Sequence, residues 1–457
     1  MKIRLLISAC CLLLLSTLAI TASQSPSAQM IVPGFPIQPP TDCGGEPCEA
    51  VHRGARAFAD RNLQGLSANG RACADCHMLD DNFQLSPANA EARFQRLQER
   101  RQTNPDADDP LFRAIDADDF RTNGVNASDF SNLRQNGLIR ITFPLPAKMK
   151  LVDSATGLVT DERSVDVWRS VPSVNNVALT GPGNANPWFR GPNELGGYQL
   201  DGRMATLQDQ AAGALTNHAQ VPIAPPQRIL DDLAAFQRVL FTSPSARALS
   251  QAIDAGEANL PDPDPPLDAL EQQGKAVFVR ACGTCHGGPA QSNAAQPVPR
   301  FQDIASPCPR PIDTRPANVV TPARFAFAPC PTRLQRNART YEITLANDTT
   351  MRRTSSDPGR ALLTGFVGGA APTDDWQKFD VPGVRGISRT APYFHNNSAA
   401  TLEEVVDHYA EFFKRVLVNV APGAALPPVL TTDGVNVDRP LTSVAERTAL
   451  LAYLRKQ

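Results

Sequence analysis

Two short strings, CADCH at residues 73–77 and CGTCH at residues 282–286, restrict this chain more than any other feature. Each sets two thiols three positions apart with an imidazole directly after the second. Thiols at that spacing can reach the two vinyl groups of one porphyrin while the histidine turns to the iron. Each string therefore reads as a covalent haem c attachment site: Cys73, Cys76 and His77 for the first, and Cys282, Cys285 and His286 for the second. A zinc site needs four ligands, and neither string has a second Cys or His pair near it in sequence. A redox-active dithiol of the thioredoxin kind needs a preceding strand in a βαβ setting, and none is visible.

The N-terminus places the chain in a compartment where such chemistry is at home. Lys2 and Arg4 precede an apolar run from Leu5 to Ile20 and then small polar residues from Thr21 to Ser27, the order of a secretory signal peptide. Cleavage is expected near Ala22 to Ser25, and residues 1–23 are assigned to the signal. The run is too short to span a bilayer comfortably. Cys10, after Ser8 and Ala9, loosely resembles a lipoprotein acylation site, but it lies before most of the apolar run, where cleavage should not fall. The expectation is a periplasmic protein with no stable membrane insertion. Removing the signal leaves eight cysteines, and the four outside the CxxCH strings pair naturally as local disulfides, Cys43 with Cys48 and Cys308 with Cys330. A formal net charge of -2, with no long basic stretch, argues against a nucleic-acid partner.

With 41 prolines in 457 residues, much of the chain should be loop with short helices between, and strand-like alternation is scarce. One grammar repeats. Gly54 and Phe58 lie four apart on a probable helix leading to the first string, and Gly274 and Phe278 lie four apart on a helix leading to the second. Each unit closes on another amphipathic helix, the first with Leu230, Leu233, Phe236 and Leu240 on one face, the second with Leu450, Tyr453 and Leu454 in similar phase. The expected fold class is mainly α, two cytochrome c-like haem domains in tandem with long loop inserts. The first domain is set at residues 40–256 and the second at 266–457, joined by the proline- and aspartate-rich stretch 257–265. Residues 87–136 and 289–339 lack long apolar periodicity and read as inserts of loop and short helix.

The string VPGVRGISRTAPYFHNNSAATLEEVVDHY at residues 381–409 resembles the signature of the bacterial dihaem cytochrome c peroxidase superfamily, which includes the enzyme that matures the quinone cofactor of methylamine dehydrogenase. LDGRMATLQDQAAGALTNH at residues 200–218 is similar to the stretch around that family's peroxide pocket. The resemblance covers both attachment strings and most of the chain after the signal, the two inserts excepted. It implies hydrogen peroxide as substrate at the first haem. It also implies electrons from a donor protein, a cytochrome c or cupredoxin, or from an oxidisable substrate. The alternatives are a protein- or substrate-modifying oxidase and a plain dihaem electron carrier. Some members dimerise, so a homodimer is a further expectation.

Residue by residue, the resemblance implies a division of labour. In the electron-transferring members the second haem takes a Met fourteen residues after the His of the TAPYFH element; here that position is Tyr409, with His408 beside it as rival ligand. A phenolate favours ferric and higher oxidation states. Many members block the first haem with a His soon after the first string, and none lies here between His77 and His218, which implies an open iron. The family's acid–base Glu follows its Asp-Gly-Arg element, matched by Asp201, Gly202 and Arg203, but the next positions read Gln208, Asp209 and Gln210. Asp209 is the first candidate and Gln208 a hydrogen-bond donor. Where an aromatic relay is expected stands Asn175, flanked by Trp168 and Trp188. The family's calcium ion would use carbonyls near Thr390 and Pro392. His395 would hydrogen bond near the propionates of the second haem, whereas His52 and His218 read as structural.

Overall fold

The computed structural model describes residues 40–66, 68–113, 115–117, 129–181, 197–283, 285–292, 301–302, 332–367, 375–418, 441 and 443–457. The signal segment, Trp188, Cys308 and Cys330 lie outside the described residues. Among those described there are thirteen α-helices and seven short strands, and none of the helices is long and apolar enough to cross a membrane.

The repeated grammar is realised as two crossed helix pairs. Helix Cys48–Ala59 packs on helix Gln227–Arg238, and helix Ala269–Ala281 packs on helix Val444–Leu454. Each crossing is made at a glycine. A Cβ on Gly54 would stand 1.9 Å from the Asp232 carbonyl oxygen, and one on Gly274 would stand 2.0 Å from that of Ala449. One turn on, Phe58 meets Phe236 edge-on at 5.3 Å and Phe278 meets Tyr453 at 5.5 Å. The two pairs therefore use corresponding positions, and the apolar faces expected at Leu230 to Leu240 and at Leu450 to Leu454 are buried. The start of Ala269–Ala281 is set by a capping box, Asp268 and Glu271 each accepting from the other's backbone N–H, at 2.9 and 2.8 Å. Cys43 and Cys48 are disulfide-bonded at the head of the first helix.

Two features depart from the sequence expectation. Residues 87–136 contain a 17-residue helix, Pro87–Thr103, rather than only loop and short helix. Its buried stripe is Ala90, Arg93 and Leu97, so a charge at the centre conceals the periodicity. Arg93 donates to Asp75 inside the first CxxCH string at 2.5 Å and to Asp109 at 2.9 Å. This insert thus clamps the attachment string. The second departure is a β layer. Strand Leu138–Pro144 pairs antiparallel with Ser164–Ser170, and Met149–Val152 pairs with Arg339–Thr344, which pairs in turn with Thr350–Ser355. The two halves of the chain share that three-stranded sheet. Its apolar face packs Phe143, Leu151, Val167, Tyr341, Ile343 and Trp376 together.

The stretch 257–265 is tied down at its end. Asp264 accepts from Lys275 at 2.8 Å and from the Tyr453 hydroxyl at 3.0 Å, and pairs with Arg385.

Candidate functional site

Each attachment string holds its histidine in one tautomer. His77 Nδ1 lies 3.0 Å from the Phe83 carbonyl oxygen, and His286 Nδ1 lies 2.9 Å from that of Pro382. A carbonyl can only accept, so Nδ1 carries the proton and Nε2 keeps its lone pair. Burial lowers the pKa of His77 and takes that of His286 to about 4, so both rings are neutral and ready to ligate a metal at neutral pH. The cysteines beside them are not reactive thiolates. Burial raises Cys73 and Cys282 to about 12, and Cys76 and Cys285 to about 11. A redox dithiol would need the opposite shift. Among the described residues no group of three or more His, Cys, Asp or Glu is arranged to hold a metal ion. Apolar thiols with an oriented imidazole fit a thioether-bound haem at both strings.

His77, Cys73 and Cys76 line a largely apolar cavity that opens to solvent. One wall comes from helix Leu207–Asn217, whose 3.6-residue repeat turns Leu207, Gln210, Ala211, Ala214 and Leu215 inward. Gln208 and Asp209 fall on the other faces. Gln208 donates to Asp231 at 3.1 Å, and Asp209 is exposed and exchanges hydrogen bonds with Thr206, the helix N-cap, at 2.8 and 3.0 Å. The structure therefore places neither sequence candidate on the cavity wall; Gln210 is there instead. His218, read as structural, also lines the cavity. The signal for both was the phase of the helix, since 207, 210, 211, 214, 215 and 218 form one stripe. His52 is not among the lining residues, and its Nε2 lies 3.3 Å from the Pro40 carbonyl oxygen.

Behind the cavity lies a buried charge cluster. Arg169 lines the cavity, is 1% exposed, and donates to Asp357 at 2.6 and 3.0 Å and also to Asp201. Arg203 donates to the same oxygen of Asp201 at 2.7 Å. The Asp-Gly-Arg element thus anchors a buried ion network. Burial would raise the Asp201 carboxyl, but Arg169 and Arg203 outweigh it and hold it below the usual carboxylate range. A depressed folded pKa means that this contribution is full above about pH 3.9, the unfolded value, and is lost as pH falls through the folded one. In urea titrations, Asp201 should contribute nothing to any change between pH 7 and 5. Below about pH 4 the midpoint should fall less steeply in Asp201→Asn than in the parent; equal slopes would remove Asp201 from the acid response.

His395 lies next to this cluster, stacked on Phe379 at 3.9 Å, and burial takes it to about 4. Its Nε2 is buried and unpartnered, as suits a ring that awaits a carboxylate such as a haem propionate. Tyr409 and His408 meet Phe394 at 6.5 and 4.8 Å, and Tyr409 packs in the core that contains Cys282. Burial pushes the Tyr409 phenol far above its ordinary value, and the nearby Cys282 and Cys285 add to the rise. Trp168 packs with Leu138 and Leu334, outside the cavity lining. Asn175 donates to the Asn82 carbonyl at 3.1 Å, and Asn82 and Gln84 donate in turn to the carbonyls of Arg389 and Ala391 at 2.9 and 3.0 Å.

With both strings shaped for haem, the chain resembles the bacterial dihaem cytochrome c peroxidase superfamily. Over 229 residues, 45% of this chain and 38% of that protein, it is 27% identical to the cytochrome c peroxidase Ccp of Escherichia coli, so the match spans less than two-fifths of that relative. No protein-family model matches the chain. Among solved structures it is similar to a MauG-like protein associated with microbial copper homeostasis, at 19% identity over 93% of each chain, with a TM-score of 0.41. It is also similar to the dihaem peroxidase BthA of Burkholderia thailandensis, at 16% identity over 89% of this chain and 85% of that one, with a TM-score of 0.40.

Proposed function

We propose that the chain is a periplasmic dihaem c-type oxidoreductase, two cytochrome c-like haem domains in tandem, that reduces hydrogen peroxide to water with electrons from a small donor protein. The observation that carries this reading is the pair of oriented imidazoles beside half-buried thiols, with His77, Cys73 and Cys76 lining a solvent-accessible cavity. Haem held at the two strings would supply iron that takes up and passes on electrons. Cys73, Cys76 and His77 would hold the reacting group, and Cys282, Cys285 and His286 would hold the relay. Gln210 offers an amide to a small polar ligand, while Ala211 and Leu215 keep the surrounding wall apolar and limit bulk water. Gln210 therefore replaces Asp209 and Gln208 as the candidate polar group. Calcium is proposed where the resemblance puts it, among backbone carbonyls near Thr390 and Pro392.

The ferric holoprotein given one equivalent of peroxide and then reduced cytochrome c or cupredoxin should turn over. An unchanged spectrum would point to a plain electron carrier and contradict the proposal. A second reading, a modifying oxidase that stores oxidising equivalents, is favoured by Tyr409 beside the second pair of thiols. Its mark would be a long-lived near-infrared charge-resonance band without donor turnover. If Tyr409 ligates the second iron, Tyr409→Phe changes the low-spin ferric signal of that haem and leaves the first haem's spectrum as it was. An unaltered spectrum would remove Tyr409 as a ligand.

A further inference from the structure

One pair at the His77 cavity has no part in haem attachment. His218 lines the cavity just past helix Leu207–Asn217, and its Nδ1 lies 2.9 Å from Asp116 Oδ1. The other carboxylate oxygen of Asp116 accepts from Arg71 at 2.5 Å. Arg71 is itself held, 2% exposed, by the carbonyls of Pro110 at 2.9 Å and Ile115 at 3.0 Å. Asp116 is therefore locked in orientation, with one oxygen committed to a guanidinium and the other presented to the imidazole. A carboxylate in that setting accepts, so His218 Nδ1 donates and Nε2 keeps a lone pair. Among the described residues Nε2 makes no hydrogen bond, although the ring lies in a cavity wall that is otherwise largely apolar. An imidazole oriented by a carboxylate, with its second nitrogen unengaged in a ligand-sized cavity, is equipped to move a proton.

We propose that His218 is the proton-transfer residue of this cavity and Asp116 its positioning residue. The ligand class is a small weak acid that binds through its deprotonated atom; its identification as hydrogen peroxide rests on the function proposed above. With peroxide, one proton passes from the inner oxygen to His218 Nε2 and on to the outer oxygen. The bond between the oxygens breaks and the outer one leaves as water. The inner oxygen becomes a second water with two protons from solvent. The two electrons this requires come from the haem-bearing protein and are restored by two molecules of a reduced one-electron donor protein.

The test uses the ferric holoprotein and hydrogen cyanide, a weak acid that must surrender its proton to bind. His218→Gln keeps a hydrogen-bonding amide but cannot take up a proton, so cyanide association should slow by about 100-fold or more. The ferric electron paramagnetic resonance spectrum and the thermal midpoint should stay unchanged. Asp116→Asn suits the left-handed backbone at that position (φ 66) and should slow association by about tenfold. Unchanged association in a folded His218→Gln overturns the proposal. A low-spin to high-spin conversion in that variant also overturns it, because His218 would then be an iron ligand. Should His218→Gln not fold, unchanged association in Asp116→Asn is the overturning result. Cyanide association that depends on His218, in a protein that leaves peroxide unreduced, sustains the proton-transfer role and sinks the peroxidase reading instead.

Discussion

Arg169→Leu is expected to destabilise the protein by about 3–5 kcal/mol, as removal of one partner from a buried ion network does. Asp357 loses both of its guanidinium hydrogen bonds and Asp201 keeps only Arg203, while leucine offers neither carboxylate a donor. The guanidinium also lies over the Phe143 ring at 4.8 Å and the Phe379 ring at 5.8 Å, so packing is lost together with charge. Denaturant titration of the holoprotein measures this. A loss under about 1 kcal/mol would mean that the cluster behaves like a surface ion pair.

Alanine at Gly54 or Gly274 should cost about 3 kcal/mol or more, at the upper end for overpacking. The added Cβ would meet backbone carbonyls at 1.9 and 2.0 Å, and helix backbone cannot step aside as a side chain can. Phe236 and Tyr453 would be displaced as well, their Cβ atoms lying 2.8 and 2.7 Å from the new carbon. The two variants should be comparably unstable, since the crossings use corresponding positions. Thermal unfolding of each against the parent is the check. Loss at one glycine and tolerance at the other would contradict the duplication.

What was legible in the sequence was local or periodic. The attachment strings, the Gly-to-Phe spacing and the faces of the closing helices each depend on neighbours within a turn or two, so their residues announced their structure. The β layer depends on pairing such as Met149 with Ile343, nearly two hundred residues apart, and its strands of four to seven residues alternate too irregularly to stand out. Helix Pro87–Thr103 was concealed by Arg93 in its buried stripe, because the partner that justifies burying that charge, Asp75, belongs to another segment. Asp209 is the one carboxylate in the stretch that follows Asp-Gly-Arg, residues 204–218. Helical phase turns Asp209 out to the hydroxyl of Thr206, the helix N-cap, and turns Gln210 in. His218 stood at the end of the same stripe, but its partner Asp116 lies 102 positions away in the chain, and only the folded structure joins them.

The claim that the two strings carry unequal haems is tested most directly on the purified, oxidised protein by intact mass spectrometry and low-temperature electron paramagnetic resonance. The account predicts a chain heavier by two covalently bound haems, with one high-spin ferric signal lost in Cys73→Ala/Cys76→Ala and one low-spin signal lost in Cys282→Ala/Cys285→Ala. A chain carrying one haem or none, or two low-spin signals of the same kind, would contradict it.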